Sequence, residues 1–308
     1  MRVVFLGTPD FGVPALKKIM DCHQIVGCVC QPDKIGARGK TEFSAVKRFA
    51  LVNNLPLFQF EKISRDGVEI LRSLNPDIMV TAAYGQILSQ EIIDIAPHGI
   101  INIHGSLLPK LRGAAPIQYS VLLGLQQTGI TILKTVRKVD AGEIILQKTL
   151  DILPFETNGE LFERMSHLGA EAVVEALALI EQGKATFTTQ VEEDATFCSK
   201  ITAEQEQIDW SMPSNKVINL VRALCPSPSA WTTWQGKRLK IYALRPCDTV
   251  FDGKCGEVVE CSKKSLAVMC GDGKAVYVKE LQAENAKRMD IVSFLNGRKI
   301  CVGTVLGE

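Results

Sequence analysis

The stretch IINIHGSLLPKLRGAAP, residues 100–116, begins as a strand and stops being one at a definite place. In a strand, side chains i and i+2 share a face. Ile101 and Ile103 therefore turn into a core, while Asn102 and His104 point together to the other side. Gly105 lets another molecule come close to the backbone, and Ser106 to Pro109 form a short apolar wall. An apolar run that ends in two polar side chains and a Gly- and Pro-rich loop fits the carboxyl end of a parallel strand. That is where open α/β sheets bind ligands.

Working outward, the runs Arg2–Gly7, Gln24–Cys30, Leu57–Phe60 and Asp77–Ala83 are short, apolar and rich in β-branched residues. They alternate with helical stretches at Val13–Met20, Ser44–Asn53 and Asp66–Leu74. Strand and helix in alternation predict an α/β fold with a doubly wound, Rossmann-like sheet. From Ile130 the pattern changes: ITILKTV and EIILQKTL, joined by a turn, predict a hairpin at the edge of a mixed sheet. Thr157-Asn-Gly-Glu160 has the form of a capping box, opening a long helix to Gln182, with Gly183 as its stop. Residues 189–207 are polar and weakly periodic and read as a linker. After a short helix at Asn215–Ala223, the segments RLKIYAL, GEVVEC, LAVMC and AVYVKEL predict a small, OB-like β-barrel. The domains expected are 1–188, the linker 189–207, and 208–308.

The 308 residues are 46% hydrophobic and 22% charged with a net charge of +1, a globular composition. No apolar run reaches the roughly 18–20 residues of a spanning helix, and the start MRVVFLGTPDFG reads as a first strand, not a signal peptide. A cytoplasmic protein with no membrane partner is expected. The ten cysteines lack the spacing of a zinc site and read as reduced, mostly buried thiols; no metal is expected. Residues 208–308 carry 15 Lys and Arg against 10 Asp and Glu, a net +5. Such a module faces an anionic polymer or is simply a solvated surface.

Two side chains that donate toward one point can stabilise an oxyanion, and a His there can also move a proton. Asn102 and His104 have that chemistry; the plainer alternative is that they cap the strand end. Asp140, in Val139-Asp140-Ala141-Gly142, could orient and charge-stabilise His104, or be ordinary turn chemistry. Gly7-Thr-Pro-Asp-Phe-Gly12 lacks the G-x-G-x-x-G pattern, which argues against a dinucleotide. Lys34, Arg38 and Lys40, in the loop Gln31–Lys40, could hold phosphates or stand in solvent.

Taken together, FLGTPDFGVPAL, QPDKIGARGK, PDIMVTAAYGQIL, INIHGSLLPKLRGAAPIQ, TGITI, VDAG and RALCPSPSAW cover essentially the whole chain. In these motifs the sequence resembles the formyltransferases that use 10-formyltetrahydrofolate, and within them the family acting on methionyl-tRNA. The resemblance implies that the methionine α-amino group of initiator methionyl-tRNA attacks the formyl carbon, that a tetrahedral oxyanion forms, and that tetrahydrofolate leaves. It gives Asn102 and His104 the catalytic places, and Asp140 the place that orients or charges the His. It assigns Ser106, Leu107, Leu108 and Pro109 to a folate-contacting loop, and Gln86, Ile87 and Leu88 to the pterin pocket. It puts Arg38, with Lys40 in the same basic loop, at the tRNA acceptor end, and makes 208–308 a tRNA-binding domain. The implied cosubstrate is 10-formyltetrahydrofolate without a metal, and the implied state is a monomer. The chain departs from the family at Ala141, where Thr is common, and in the basic run Thr135–Lys138. Rival readings are formylation of glycinamide ribonucleotide or a sugar nucleotide, hydrolysis of the folate to formate, and a non-catalytic folate- or RNA-binding module.

Overall fold

A computed structural model describes residues 1–35, 39, 41–298 and 300–308. The chain divides into two units: Met1–Pro116, Gln127–Asp151 and Phe162–Cys198 form the first, and Ile117–Gln126, Ile152–Leu161 and Ser199–Glu308 the second.

The first unit is built on seven strands: β1 (Arg2–Gly7), β2 (Gln24–Cys30), β3 (Leu57–Gln59), β4 (Ile78–Ala82), β5 (Ile100–His104), β6 (Gln127–Lys134) and β7 (Ile144–Asp151). Their order across the sheet is β7-β6-β5-β4-β1-β2-β3. The five strands from β5 to β3 are parallel, and β6 and β7 add an antiparallel edge. The central strands β1 and β4 are buried almost throughout, as expected of parallel strands covered on both faces. Chain direction across the sheet reverses between β1 and β4, so the crevice at their carboxyl ends is a topological switch point.

Helix α1 (Val13–Cys22) buries Ala15, Leu16 and Ile19, which share one helical face. Helix α2 (Ala45–Val52) is capped by Ser44, whose hydroxyl accepts from the Lys47 N–H at 3.2 Å. In α3 (Asn158–Glu181), the buried stripe Met165, Ala172, Val173, Ala176 and Leu177 gives the long apolar face. Gly169 of that helix lies so close to the sheet that a Cβ there would sit 3.0 Å from Ile103. The helix thus covers the Ile103 face of β5, and Asn102 and His104 take the opposite face by strand alternation.

The predicted linker differs from what is seen. Residues through Cys198 pack on the first unit, and Phe197–Cys198 pairs in parallel with Arg112–Gly113. The physical reason is that the side chains of Gln190, Glu192 and Thr196 bond into the unit, although most residues of the segment are exposed.

The second unit carries α4 (Ser214–Leu224), the strands β8 (Ala230–Trp234), β9 (Lys237–Pro246), β10 (Val258–Cys261), β11 (Leu266–Met269), β12 (Ala275–Ala283) and β13 (Met289–Asp290), and α5 (Ile291–Gly297). The strands form one antiparallel sheet in the order β8-β9-β12-β11-β10, with β13 on β12. Their inward residues, among them Leu239, Ile241, Val258, Val268 and Leu281, share a core with Val221 and Leu224 of α4 and Phe294 of α5. Asp290 caps α5 by accepting from the Ser293 N–H at 2.9 Å. Among the described residues, no helix is long and apolar enough to cross a membrane. All ten cysteines are free, and six are buried.

Candidate active site

The end of β5 builds the site. Asn102 lies opposite Thr81 of β4 in register, and the Thr81 hydroxyl donates to Asn102 Oδ1 at 2.8 Å. That bond fixes the amide: with its oxygen taken, the Nδ2 donor must face the other way. It faces Asp140 Oδ1, 3.4 Å distant. His104 is 5% exposed. Its Nδ1 stands 3.5 Å from the same carboxylate oxygen, and its Nε2 lies 3.0 Å from the Leu111 carbonyl. A carbonyl only accepts, so Nε2 carries the proton in this arrangement.

The structure thus brings Asn102, His104 and Asp140 together, although 38 residues separate Asn102 from Asp140. The antiparallel edge does this: β6 pairs with β5, with His104 opposite Thr131, and the connection after β6 returns Asp140 to the end of β5. Burial lowers the His104 pKa from its ordinary 6.5, against the upward pull of Asp140 and then of the Leu111 carbonyl. The ring is therefore neutral at neutral pH. A neutral imidazole beside a carboxylate can take up a proton and be steadied as the imidazolium.

A second ring of residues, missed in the sequence reading, holds these three. The Gly113 N–H donates to Asp140 Oδ2 at 2.8 Å. The Gln190 amide donates to the main-chain carbonyls of Asp140 and Gly142 at 2.8 and 2.7 Å. Arg112 is 1% exposed; its Nε donates to Gln190 Oε1 at 3.0 Å and its Nη1 to Glu192 at 2.9 Å. Lys138 also contacts Glu192, and Lys138 first, then Arg112, hold that carboxyl below the usual range. The buried Cys198 thiol, pushed up by desolvation, donates to the Leu111 and Arg112 carbonyls.

The expected folate loop is rigid. The Ser106 hydroxyl donates to the Lys110 carbonyl at 2.6 Å, and its own carbonyl accepts from Thr131. The Leu108 N–H donates to Thr131 Oγ1 at 3.1 Å, and its carbonyl accepts from Gln147 Nε2 at 2.9 Å. Ser106 and Leu108 are buried; Leu107 and Pro109 are half-exposed. Their shape is set from inside, which suits a wall rather than a set of flexible contacts.

Gln86, Ile87 and Leu88 follow β4 at the switch point. Gln86 is not free to line a pocket with its amide. Its Oε1 accepts from the Ile63 N–H and its Nε2 donates to the Phe60 carbonyl, both at 2.9 Å. Leu88 is buried, whereas Ile87 is 81% exposed and offers an open apolar face. Across the switch, Thr8 and Gln31 both donate to the Tyr84 carbonyl, at 3.2 and 3.0 Å. Burial also raises the Tyr84 phenol pKa. The expected tRNA contacts Arg38 and Lys40 lie outside the described residues. Near them, Lys34–Ile35 pairs antiparallel with Thr41–Glu42.

Comparison with known proteins gives a consistent result. A family model described as formyl transferase matches residues 1–177, and one described as formyl transferase, C-terminal domain, matches residues 200–299. The methionyl-tRNA formyltransferase of Agathobacter rectalis is 42% identical over 300 residues, 96% of each chain. That of Bacillus cytotoxicus is 40% identical over 311 residues, 100% of this chain and 99% of the relative. Among solved structures, HypX from Aquifex aeolicus in complex with tetrahydrofolic acid superposes with a TM-score of 0.65 at 18% identity. The match covers 99% of this chain but only 50% of HypX, and it speaks to the fold alone.

Proposed function

We infer the reaction from one premise: the chain belongs to the formyl transferase family and, within it, to the methionyl-tRNA formyltransferases. It is a formyl-transfer enzyme. It moves the formyl group of 10-formyltetrahydrofolate to the α-amino group of methionine on initiator tRNA, giving N-formylmethionyl-tRNA and tetrahydrofolate for translation initiation. The observation that carries this to particular residues is the meeting of Asn102, His104 and Asp140 at one strand end.

In this reading the amine nitrogen attacks the formyl carbon, and the C=O pair moves onto oxygen. Asn102 Nδ2, turned outward by Thr81, donates to that oxyanion; such a donor is worth about 10²–10³ in rate. Neutral His104 takes the proton of the attacking nitrogen. Asp140 steadies the imidazolium, and the proton then passes to N10 of the folate as the C–N10 bond breaks. In the free enzyme Nε2 carries the proton and donates to the Leu111 carbonyl. When substrate displaces that carbonyl the ring takes its Nδ1–H tautomer, which donates to Asp140 and leaves the Nε2 lone pair to accept the amine proton. The rigid loop Ser106–Pro109 and the exposed Ile87 form the folate walls. Arg38 and Lys40 contact phosphates near the acceptor end, which positions the RNA without reading bases. The net +5 of residues 208–308 supports a tRNA-binding role for that module. Residues 1–188 carry the chemistry, and the enzyme works as a cytoplasmic monomer without a metal.

The test is formyl transfer to methionyl initiator tRNA by the wild type and Asn102→Ala, with free formate followed in parallel. The expected result is formylmethionyl-tRNA from the wild type and a loss of about 100-fold or more in the variant. Formate release without tRNA formylation would point to a hydrolase instead.

A further inference from the structure

We propose that Gln190 is a positioning residue: its amide, held by buried Arg112, fixes the turn carrying Asp140 and so sets the carboxylate against Asn102 and His104. This deepens the reading of the site given above and rests on it.

The geometry is specific. Asp140 adopts a φ of 51°, a left-handed conformation that Asp tolerates in turns, and its turn is closed by the Ala141 N–H on the Lys138 carbonyl at 3.3 Å. What ties this turn to the rest of the unit is the pair of bonds from Gln190 Nε2, which grip the carbonyls of Asp140 and Gly142. At Gly142 the turn passes so close to β6 that an added Cβ would lie 1.8 Å from the Lys134 carbonyl oxygen.

Gln190 has no freedom to flip. Arg112 has only donors, so the Gln190 oxygen must face its Nε and the NH₂ must face the two carbonyls. A flipped amide would set an oxygen against two oxygens. Arg112 is itself anchored to Glu192, and the next residue, Gly113, donates to the Asp140 carboxylate. One short segment, Arg112–Gly113, therefore holds Asp140 twice: by its carboxylate directly, and by its backbone through Gln190. The polar stretch after residue 188 is thereby a working part of the site.

The experiment measures kcat, and KM for both substrates, in Gln190→Ala, Gln190→Glu, Asp140→Ala, Asn102→Ala and the double variant Asp140→Ala/Gln190→Ala. Gln190→Ala is expected to lower kcat by about 10- to 100-fold with each KM within about twofold, because the loss is one of alignment. Gln190→Glu still accepts from Arg112 but presents oxygen to both carbonyls, so it should fall at least as far. The double variant should be no slower than Asp140→Ala alone, since both changes act through one carboxylate. Wild-type kcat in Gln190→Glu would overturn the proposal. So would the same fold-loss from Gln190→Ala in the Asp140→Ala background, or a loss confined to KM. Full kcat in Asn102→Ala would instead fail the underlying reading of the site; collapse there with intact Gln190 variants would fail only this inference.

Discussion

Among the places where the chain turns left-handed, two do so for different reasons. Between β8 and β9, Gln235 (φ 53°) and Gly236 (φ 69°) join the paired residues Trp234 and Lys237. Two such residues make the tight hairpin whose twist matches the flanking strands. Both are exposed, and the conformation is justified locally. At the candidate site, Leu111 (φ 58°), Gly113 (φ 124°) and Asp140 (φ 51°) close no such hairpin. They are held from far along the chain: Thr196 Oγ1 accepts from the Leu111 N–H at 2.9 Å, and Gln190 grips the Asp140 carbonyl. What they gain is chemical, since the Leu111 carbonyl and the Asp140 carboxylate both end on His104. At Asp140 the turn is also closed locally, by the Ala141 N–H on the Lys138 carbonyl at 3.3 Å, but it is tied to a distant segment as well, and its product is the placement of a side chain. Backbone strain that distant segments must maintain is a pointer to function.

The sharpest way to break this contrast is Gly113→Ala. A Cβ there would lie 2.2 Å from the Cys198 carbonyl oxygen, and the φ of 124° is hostile to any side chain. The Arg112–Gly113 segment would have to leave its pairing with Phe197–Cys198, taking the Gly113 N–H away from Asp140. The expected cost is roughly 3 kcal/mol in chemical denaturation, with a fall in kcat in the surviving folded enzyme. A variant that kept both stability and kcat would show that the segment places nothing.

How much of this was readable from the sequence follows from the same physics. The i, i+2 pairing of Asn102 and His104 was legible because a strand has period two. The alternation of apolar runs gave the Rossmann-like sheet, and ITILKTV with EIILQKTL gave its antiparallel edge. Asp140 was legible as a turn residue, but its approach to His104 depends on the β5–β6 register, a long-range fact. Arg112 and Gln190 were not legible. A buried, paired polar residue is written with the same letters as a solvated one, so Arg112 read as loop charge and Gln190 as linker. Gln86, which the resemblance puts at the pterin pocket, has its amide bonded to main-chain groups at Phe60 and Ile63, a pairing its letter does not reveal.

Acidification sharpens the contrast more gently. The folded-state pKa of His104 lies below the ordinary 6.5. Between those two values the unfolded chain binds a proton that the folded chain refuses, so stability rises with pH and falls as pH drops through 6.5. One proton sets a limit of about 1.4 kcal/mol per pH unit. His23 is lowered too, by burial first and the N-terminal ammonium next, so the measurement is a difference. Denaturation of wild type and His104→Asn should diverge in slope as pH falls below about 6.5, the wild type losing more on acidification. Parallel slopes would mean that the ring takes up its proton as readily in the folded enzyme as in the unfolded chain.

The smallest effect belongs to the hairpin. At Gly236 a Cβ would meet nothing within 4 Å, so Gly236→Ala costs only the left-handed backbone, about 1 kcal/mol, and should leave kcat unchanged. The complementary change, Gln235→Asn, installs the Asn-Gly pair that such two-residue loops favour and should stabilise the protein by a few tenths of a kcal/mol, read as a shift in urea midpoint. The site should not respond in kind. Asp140→Asn would also suit a left-handed backbone better, yet it replaces the carboxylate that faces His104 Nδ1 and accepts from Gly113. A hairpin residue can be improved by matching it to its φ alone. Asp140 cannot, because its φ serves to deliver a charge, and any substitution that keeps the backbone and loses the charge should keep the fold and lose the rate.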